Sequence, residues 1–218
     1  MSNLSTQFSP IFALNPTAAS QPRRHVFISS FHANRLEVDS FIYQWATLEK
    51  VFTPKAICTF DNDDFIDSTK PEYVMGEIRR KYLLDSSVTI LLIGSCTHSR
   101  RYVDWEIKSS LRRGMNVPNG LLAYVLPSAM PSAYGPFGML EWDQRAWPAV
   151  PDRLAANWNY YQADDCYARY YTMPDSAEVL RQNIEAAVWD RTNRAHLINN
   201  AADMMKNNGR CRACGVTH

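Results

Sequence analysis

The chain has 218 residues, of which 46% are hydrophobic and 21% are charged, the balance of an ordinary globular protein. That length suffices for one α/β domain with a substantial core. The formal net charge of +1 gives no electrostatic reason to expect a nucleic acid or an acidic membrane as a partner. No run reaches the ~18 apolar residues of a membrane span, and the N-terminus lacks the pattern of a signal peptide. We therefore expect a cytoplasmic protein.

The two ends of the chain are expected to lie outside the fold. Residues 1–22 are rich in Ser, Pro, Asn and Thr without periodicity, which predicts a flexible N-terminal arm. The five cysteines favour free thiols over a disulfide framework, because their number is odd and the protein is expected to be cytoplasmic. Cys211 and Cys214, followed by His218, resemble half of a zinc site, but one such pair alone is a weak signal. The sequence predicts a flexible tail over 207–218 and no metal site.

Strands and helices are predicted to alternate along the rest of the chain. Apolar runs predict strands at His25–Phe31, Ala56–Phe60, Val88–Gly94 and Gly120–Leu126. Apolar residues at helical spacing predict helices over about 35–50, from about residue 70 past Tyr82, over 100–113, and within 175–206. Residues 127–174 are dense in Pro, Tyr and Trp and predict an aromatic insertion, with a strand near Trp158–Tyr161. The alternation favours one α/β domain over 23–206, with a mostly parallel open sheet of four to five strands flanked by helices.

The stretch from Ser87 to Gly114 carries the candidate site. Its strand, Val88–Gly94, is an almost unbroken apolar run, which is typical of a central parallel strand covered on both faces. In open α/β sheets, ligands bind just past the carboxyl ends of such strands. Glu106 follows Tyr102 by four residues, about one helical turn, so both side chains are expected on one helical face. A reactive site is expected at this position.

A family resemblance rests on the same residues. Ile93 to Glu106 reads I-G-S-x-T-x-S-R-R-Y-V-x-x-E, and with the first strand it resembles the bacterial TIR-like domains of the Thoeris antiphage system, over about residues 25–127. The resemblance implies a flavodoxin-like TIR fold and cleavage of NAD⁺ at the nicotinamide–ribose bond, with NAD⁺ as substrate and no cofactor. It also implies release of an ADP-ribose-derived signalling nucleotide, expected to be cyclic, that activates a separate effector protein. A phage protein as trigger and a homo-oligomer are further expectations.

The resemblance implies Glu106 as the catalytic residue. One carboxylate suffices because nicotinamide departs from NAD⁺ as a neutral molecule and needs no general acid, unlike the leaving group of a glycosidase. Tyr102 stands where catalytic TIR domains commonly have Trp, and it is expected to stack on nicotinamide or exclude water. The remaining substrate-binding candidates are Ser30, Phe31 and His32 after the first strand, Asn62 and Asp63 after the second, and Ser95, Arg100 and Arg101 after the third. The two guanidinium groups match the geometry of a pyrophosphate.

Other interpretations of these residues stay open. A lone glutamate in a first turn is usually solvated, Arg100 is spaced for a surface pair with Asp104, and Tyr102 is suited to core packing against Ile78 or Tyr82. The acidic run over 61–64 also suits Mg²⁺ ligation or phospho-transfer. At the level of the whole protein, the alternatives are a TIR-like interaction module without chemistry and, more weakly, a nucleoside deoxyribosyltransferase-like enzyme.

Overall fold

Five parallel strands form one open sheet at the centre of the protein. The computed structural model describes residues 23–56, 70–112, 114, 117–134, 149–158 and 165–217. The strands are β1 (His25–Ser30), β2 (Thr53–Ala56), β3 (Val88–Ile93), β4 (Gly120–Val125) and β5 (Arg169–Tyr171). They lie in the order β2-β1-β3-β4-β5, and every neighbouring pair is parallel. The predicted flavodoxin-like α/β architecture is confirmed.

Helices connect and cover the strands. They are α1 (Arg35–Ile42), α2 (Pro71–Ile78), α3 (Arg101–Ser110), α4 (Met130–Ala133), α5 (Asp152–Ala155) and α6 (Ala177–Asn193). Both α1 and α2 continue into π-helical turns, over Tyr43–Leu48 and Arg79–Leu83. The side chain of Ser176 caps α6 by accepting a hydrogen bond from the backbone N–H of Val179. Among the described residues, no helix combines the length and hydrophobicity that crossing a membrane requires.

The sheet is buried on both faces, with different helices on each. On one face, α1 and α6 pack against apolar side chains that include Val26, Ile90 and Tyr124. On the other face, α2 packs over Phe27, and α3 packs over Leu91 and neighbouring residues of β3 and β4. All six residues of β3 are buried, as the apolar run predicted. Since both faces are covered, the sheet's carboxyl edge is where loops and helix starts converge.

Two strands differ from the sequence prediction. β2 begins at Thr53, three residues before the predicted start at Ala56, and residues 57–60 lie outside the described part. The insertion predicted over 127–174 contains a further sheet strand, β5, while most of the strand predicted near Trp158–Tyr161 lies outside the described residues. β5 has three residues, and within the part of the chain that the structure describes it pairs only with β4. So short an edge strand gives no readable alternation of polar and apolar positions.

The segment after α6 is packed against the domain, in contrast to the flexible tail expected over 207–218. The buried indole of Trp105 donates a hydrogen bond to the carbonyl of Met205 at 2.8 Å. The side chain of Asn208 accepts from the N–H of Arg101 at 3.1 Å, which satisfies a donor at the start of α3 that has no partner within the helix. Gly209 donates to the carbonyl of Ser99 at 2.9 Å. Residues 199–217 therefore cover the outer side of α3.

Close backbone packing and a buried ion pair fix α6 against the sheet. A Cβ atom added to Gly120 would lie 2.1 Å from the carbonyl oxygen of Ala187, so only glycine fits at the start of β4. One turn further along α6, the fully buried carboxylate of Asp190 pairs with Arg169 of β5 and with Arg194. The glycine and the ion pair together bring α6 into direct contact with the edge of the sheet.

Candidate active site

Glu106 is the buried acid at the centre of the candidate site. It lies in the second turn of α3, between the fully buried residues Trp105 and Ile107, and only 7% of its surface is exposed. Its Oε2 accepts a hydrogen bond of 2.6 Å from the hydroxyl of Ser29, one residue before the end of β1. Ser29 aligns with Leu91 of β3 in the sheet register. The neighbouring strands β1 and β3 and the helix that follows β3 thus bring this hydroxyl and carboxyl together.

The environment of Glu106 favours its protonated form. Burial raises the pKa of Glu106 to about 8, and the hydrogen bond from Ser29 opposes that rise. Within the described part of the chain, no Lys or Arg side chain forms an ion pair with this carboxylate. A buried acid without a compensating cation costs stability, and such acids concentrate at functional sites. A cationic ligand beside Glu106 would favour the carboxylate by supplying the missing charge.

Arg100 and Phe31, two of the predicted substrate-binding residues, contact each other at the edge of the sheet. The guanidinium carbon of Arg100, just before α3, lies 3.8 Å from the centre of the Phe31 ring, just after β1. Arg100 is only 5% exposed. Its Nε and Nη2 are buried and have no hydrogen-bond partner among the described residues. A planar cation is therefore held in place with N–H groups available to an anion.

Arg101 and Tyr102 stack against Trp105 on the side of α3. The Arg101 guanidinium carbon lies 5.0 Å from the Tyr102 ring centre and 5.4 Å from that of Trp105. Tyr102 meets Trp105 edge to face at 5.1 Å and packs against the apolar cluster that contains Ile78 and Tyr82. These contacts match the core-packing interpretation of Tyr102. They also hold its ring one turn before Glu106.

Three other predicted residues, Ser30, His32 and Ser95, lie at the same edge. Ser30 is half-buried at the end of β1, and the exposed His32 ring lies 4.5 Å from that of Phe31. Ser95 is half-buried just after β3. Asn62 and Asp63 lie outside the described residues.

The surface pair between Arg100 and Asp104 does not form. Asp104 instead lies 2.6 Å from Nε of Arg153, a residue that is 2% exposed. Helical spacing permits a pair four residues apart, but Arg153 reaches Asp104 from α5 and takes its place. Arg100 is consequently left to its contact with Phe31.

Two contributors escaped the sequence analysis. Ser29 lies on the same face of β1 as Phe27, and both are fully buried. A buried serine near the end of a strand was therefore the sequence feature that could have pointed to this residue. Asn34, in the loop after β1, lies directly over Gly94, where an added Cβ would be 2.3 Å from the Asn34 Oδ1. The glycine thus permits the first loop to cross the end of β3. That approach depends on tertiary packing and has no local signature beyond the glycine itself.

Comparison with known families identifies this region. Residues 27–124 match the family model described as Thoeris protein ThsB, TIR-like domain. This part of the chain is a Thoeris TIR-like domain. The match runs from β1 through β4 and includes Ser29, Arg100 and Glu106, and the five-stranded parallel sheet is consistent with the TIR-like fold. The predicted family is confirmed. No curated protein matches the chain.

Proposed function

We propose that this Thoeris TIR-like protein is an enzyme that cleaves NAD⁺ at the nicotinamide–ribose bond, with Glu106 as its catalytic residue. The observation that carries the proposal is the buried carboxyl group of Glu106, held by Ser29 and without a compensating cation in the described part of the chain. Its position beside the carboxyl end of β1 is where open α/β sheets bind ligands. A carboxyl group in this state has little structural benefit and a clear chemical use.

The charge of the substrate matches the charge state of this site. The nicotinamide ring of NAD⁺ is a cationic pyridinium, so its approach lowers the pKa of Glu106 and favours release of the carboxyl proton to solvent. As the bond to ribose breaks, the bonding electrons leave with nicotinamide, which departs neutral without a proton donor. The positive charge moves to the anomeric carbon, where the Glu106 carboxylate stabilises it. One acidic residue therefore serves both binding and bond cleavage.

Arg100 is the residue we assign to the pyrophosphate. Its buried guanidinium has two nitrogen atoms without partners among the described residues, and Phe31 fixes its plane. A guanidinium in a fixed plane binds phosphate oxygens through paired N–H groups. Ser30, His32 and Ser95 lie around the same edge and are proposed to contact the ribose or the phosphates, with Tyr102 covering the nicotinamide side.

The fate of the ribosyl cation decides the product. Capture by water gives ADP-ribose, and capture by the adenine of the same molecule gives a cyclic isomer. Cyclisation requires that water be excluded from the reacting carbon. We propose that the product is a cyclic signalling nucleotide that activates a separate antiphage effector in the cytoplasm, in keeping with the Thoeris family.

The test is chromatography of NAD⁺ incubated with purified protein, alone and with lysate from phage-infected cells as a source of trigger. We expect nicotinamide and an ADP-ribose-derived product from the wild type and neither from Glu106→Gln. Glu178→Gln, which alters an exposed acid in the first turn of α6, is the matched control and should be active. Turnover by Glu106→Gln equal to wild type would overturn the mechanism. A wild type that consumes no NAD⁺ with lysate present, yet forms a stable complex with a lysate protein, would favour the interaction-module alternative.

A further inference from the structure

Three cysteine thiols from two distant parts of the chain lie together beside the loop that follows β3. The Sγ of Cys96 lies 3.1 Å from that of Cys211 and 3.5 Å from that of Cys214. The three sulfur atoms all lie within 4.8 Å of one another. Cys96 precedes Cys211 by 115 residues, so tertiary packing alone brings it to the Cys211–Cys214 pair. The partner that the sequence analysis found missing is therefore present in the fold.

The spacing of the sulfur atoms is that of ligands around one ion. A tetrahedral zinc with Zn–S bonds of about 2.3 Å places its sulfur ligands about 3.8 Å apart. The distances from Cys96 to Cys211 and to Cys214, 3.1 and 3.5 Å, are somewhat shorter than that value and well beyond the length of a disulfide bond, about 2.05 Å. A disulfide would also leave the third thiol unused.

The turn that carries Cys211 and Cys214 is shaped to present both thiols to the same point. Gly215 has a φ of +76°, a left-handed conformation that glycine adopts without strain, and its N–H donates to the carbonyl of Cys211 at 2.7 Å. The N–H of Cys214 points at the Cys211 sulfur at 3.5 Å. Backbone N–H groups that donate to a ligand sulfur orient it and stabilise its thiolate form. The turn thus supplies two ligand sulfurs and also a backbone N–H group that orients one of them.

We propose that Cys96, Cys211 and Cys214 bind a structural zinc ion. Thiolate ligands select soft or borderline metals, and zinc is the one that commonly stabilises folds through cysteine. Cys211 is fully buried whereas Cys214 is exposed, so the cluster is anchored on one side and open to entry of the ion on the other. A water molecule or another donor atom would complete the tetrahedral coordination of the zinc ion.

The ion fastens the end of the chain to the helix that bears Glu106. Cys96 lies in the loop before α3, and the segment from Met205 to Gly209 is hydrogen-bonded to Ser99, Arg101 and Trp105. Residues 199–217 contain no other thiols than the two proposed ligands. Zinc therefore holds this cover in place and stiffens the start of α3. The proposal does not depend on NAD⁺ cleavage.

Metal content of the full-length protein tests the proposal directly. We expect protein purified without chelator to carry about one zinc per chain, as one structural site requires. Cys96→Ser and the double variant Cys211→Ser with Cys214→Ser should lose it. Cys166→Ser, which removes a buried thiol outside the cluster, is the matched control and should retain it. Cobalt exchanged into the wild type should give sulfur-to-metal charge-transfer absorption that Cys96→Ser lacks.

A chelator experiment on the wild type keeps the proposal testable if the variants do not fold. Removal of the ion should lower the melting temperature, and added zinc should restore it, because the ion binds the folded chain more tightly than the unfolded one. Zinc at background level in the wild type would overturn the proposal. Retention of zinc by Cys96→Ser would overturn the assigned ligand set. An intact mass that is two hydrogen atoms lower, in protein without metal, would show that two of the cysteines form a disulfide and would overturn the proposal.

Discussion

The hydrogen bond from Ser29 to Glu106 gives the proposed mechanism a sharp quantitative test. The two oxygens are 2.6 Å apart, and the bond favours the ionised carboxylate against the effect of burial. Ser29→Ala removes the donor and leaves the acid equally buried. The pKa of Glu106, about 8 in the wild type, should therefore rise further. Ser29 is a positioning residue, so its removal should move a pH profile rather than abolish the chemistry.

The size of the effect follows from the strength of a hydrogen bond to a charged group. Such a bond contributes about 1.5–3 kcal/mol, which corresponds to a rise of about one to two pH units in the pKa of Glu106. At pH 7, a group with a pKa of about 8 is roughly one-tenth ionised, and the rise reduces that fraction by about ten- to a hundredfold. We expect kcat/KM for NAD⁺ at pH 7 to fall by the same factor, because kcat/KM reports ionisation of the free enzyme.

The assay is nicotinamide release measured from pH 6 to pH 10. The wild type should gain activity as pH rises toward a plateau above its apparent pKa, and the Ser29→Ala profile should be displaced to higher pH and still be rising at the upper end of the range. Ser86→Ala, which removes a different buried hydroxyl that donates to the carbonyl of Tyr82, should leave the profile unchanged. A Ser29→Ala profile that coincides with wild type, or that moves to lower pH, would refute the role assigned to this bond.

Four further predictions concern stability. Glu106→Gln should be more stable than wild type by several kcal/mol at pH 8.5 but not at pH 4, because the wild type loses stability as pH rises from the unfolded pKa of about 4.3 to the folded value of about 8. Urea unfolding at both pH values measures this. Gly120→Ala should destabilise by at least about 1–3 kcal/mol through its clash with the Ala187 carbonyl. Gly76→Ala, in open space on α2, should stabilise by about 0.5–1 kcal/mol, also by urea unfolding. Asp190→Ala should lower the free energy of unfolding by about 3–5 kcal/mol, since it leaves two guanidinium groups without their buried partner.

Each of these predictions has an outcome that contradicts it. A constant stability difference between Glu106→Gln and wild type at both pH values would show that Glu106 is not destabilised by burial. Equal changes in the free energy of unfolding for the two glycine substitutions would mean that the backbone at Ala187 shifts to accommodate the added methyl group. A fall of less than about 1 kcal/mol in the free energy of unfolding for Asp190→Ala would mean that the ion pairs of Asp190 contribute no more than exposed ion pairs do.

The architecture was predictable because its signals are local. The unbroken apolar run of β3 predicts a strand buried on both faces, and the alternation of strands with amphipathic helices predicts a parallel sheet. The placement of Glu106 near the sheet's carboxyl edge also follows from its position after β3, whereas its role as the catalytic residue stays a prediction. β5 was missed because three residues at a sheet edge carry too little pattern to read.

The partners of the key residues were not predictable, because they depend on contacts between distant parts of the chain. Ser29 reaches Glu106 across 77 residues, and Asp104 pairs with Arg153 across 49. Cys96 joins Cys211 across 115 residues, which is why the tail looked free in the sequence. Local spacing favoured an Arg100–Asp104 pair, and packing of α5 overrode it.

Cleavage of NAD⁺ by Glu106 is tested in the cell by mass spectrometry of nucleotides in phage-infected cells that express the wild type or Glu106→Gln. We predict that infected wild-type cells lose NAD⁺ and accumulate nicotinamide together with an ADP-ribose-derived nucleotide, and that cells with Glu106→Gln at the same protein level do neither. Accumulation of the same nucleotide with both proteins, or resistance to phage in wild-type cells without NAD⁺ cleavage, would mean that Glu106 does not protect the cell by cleaving NAD⁺.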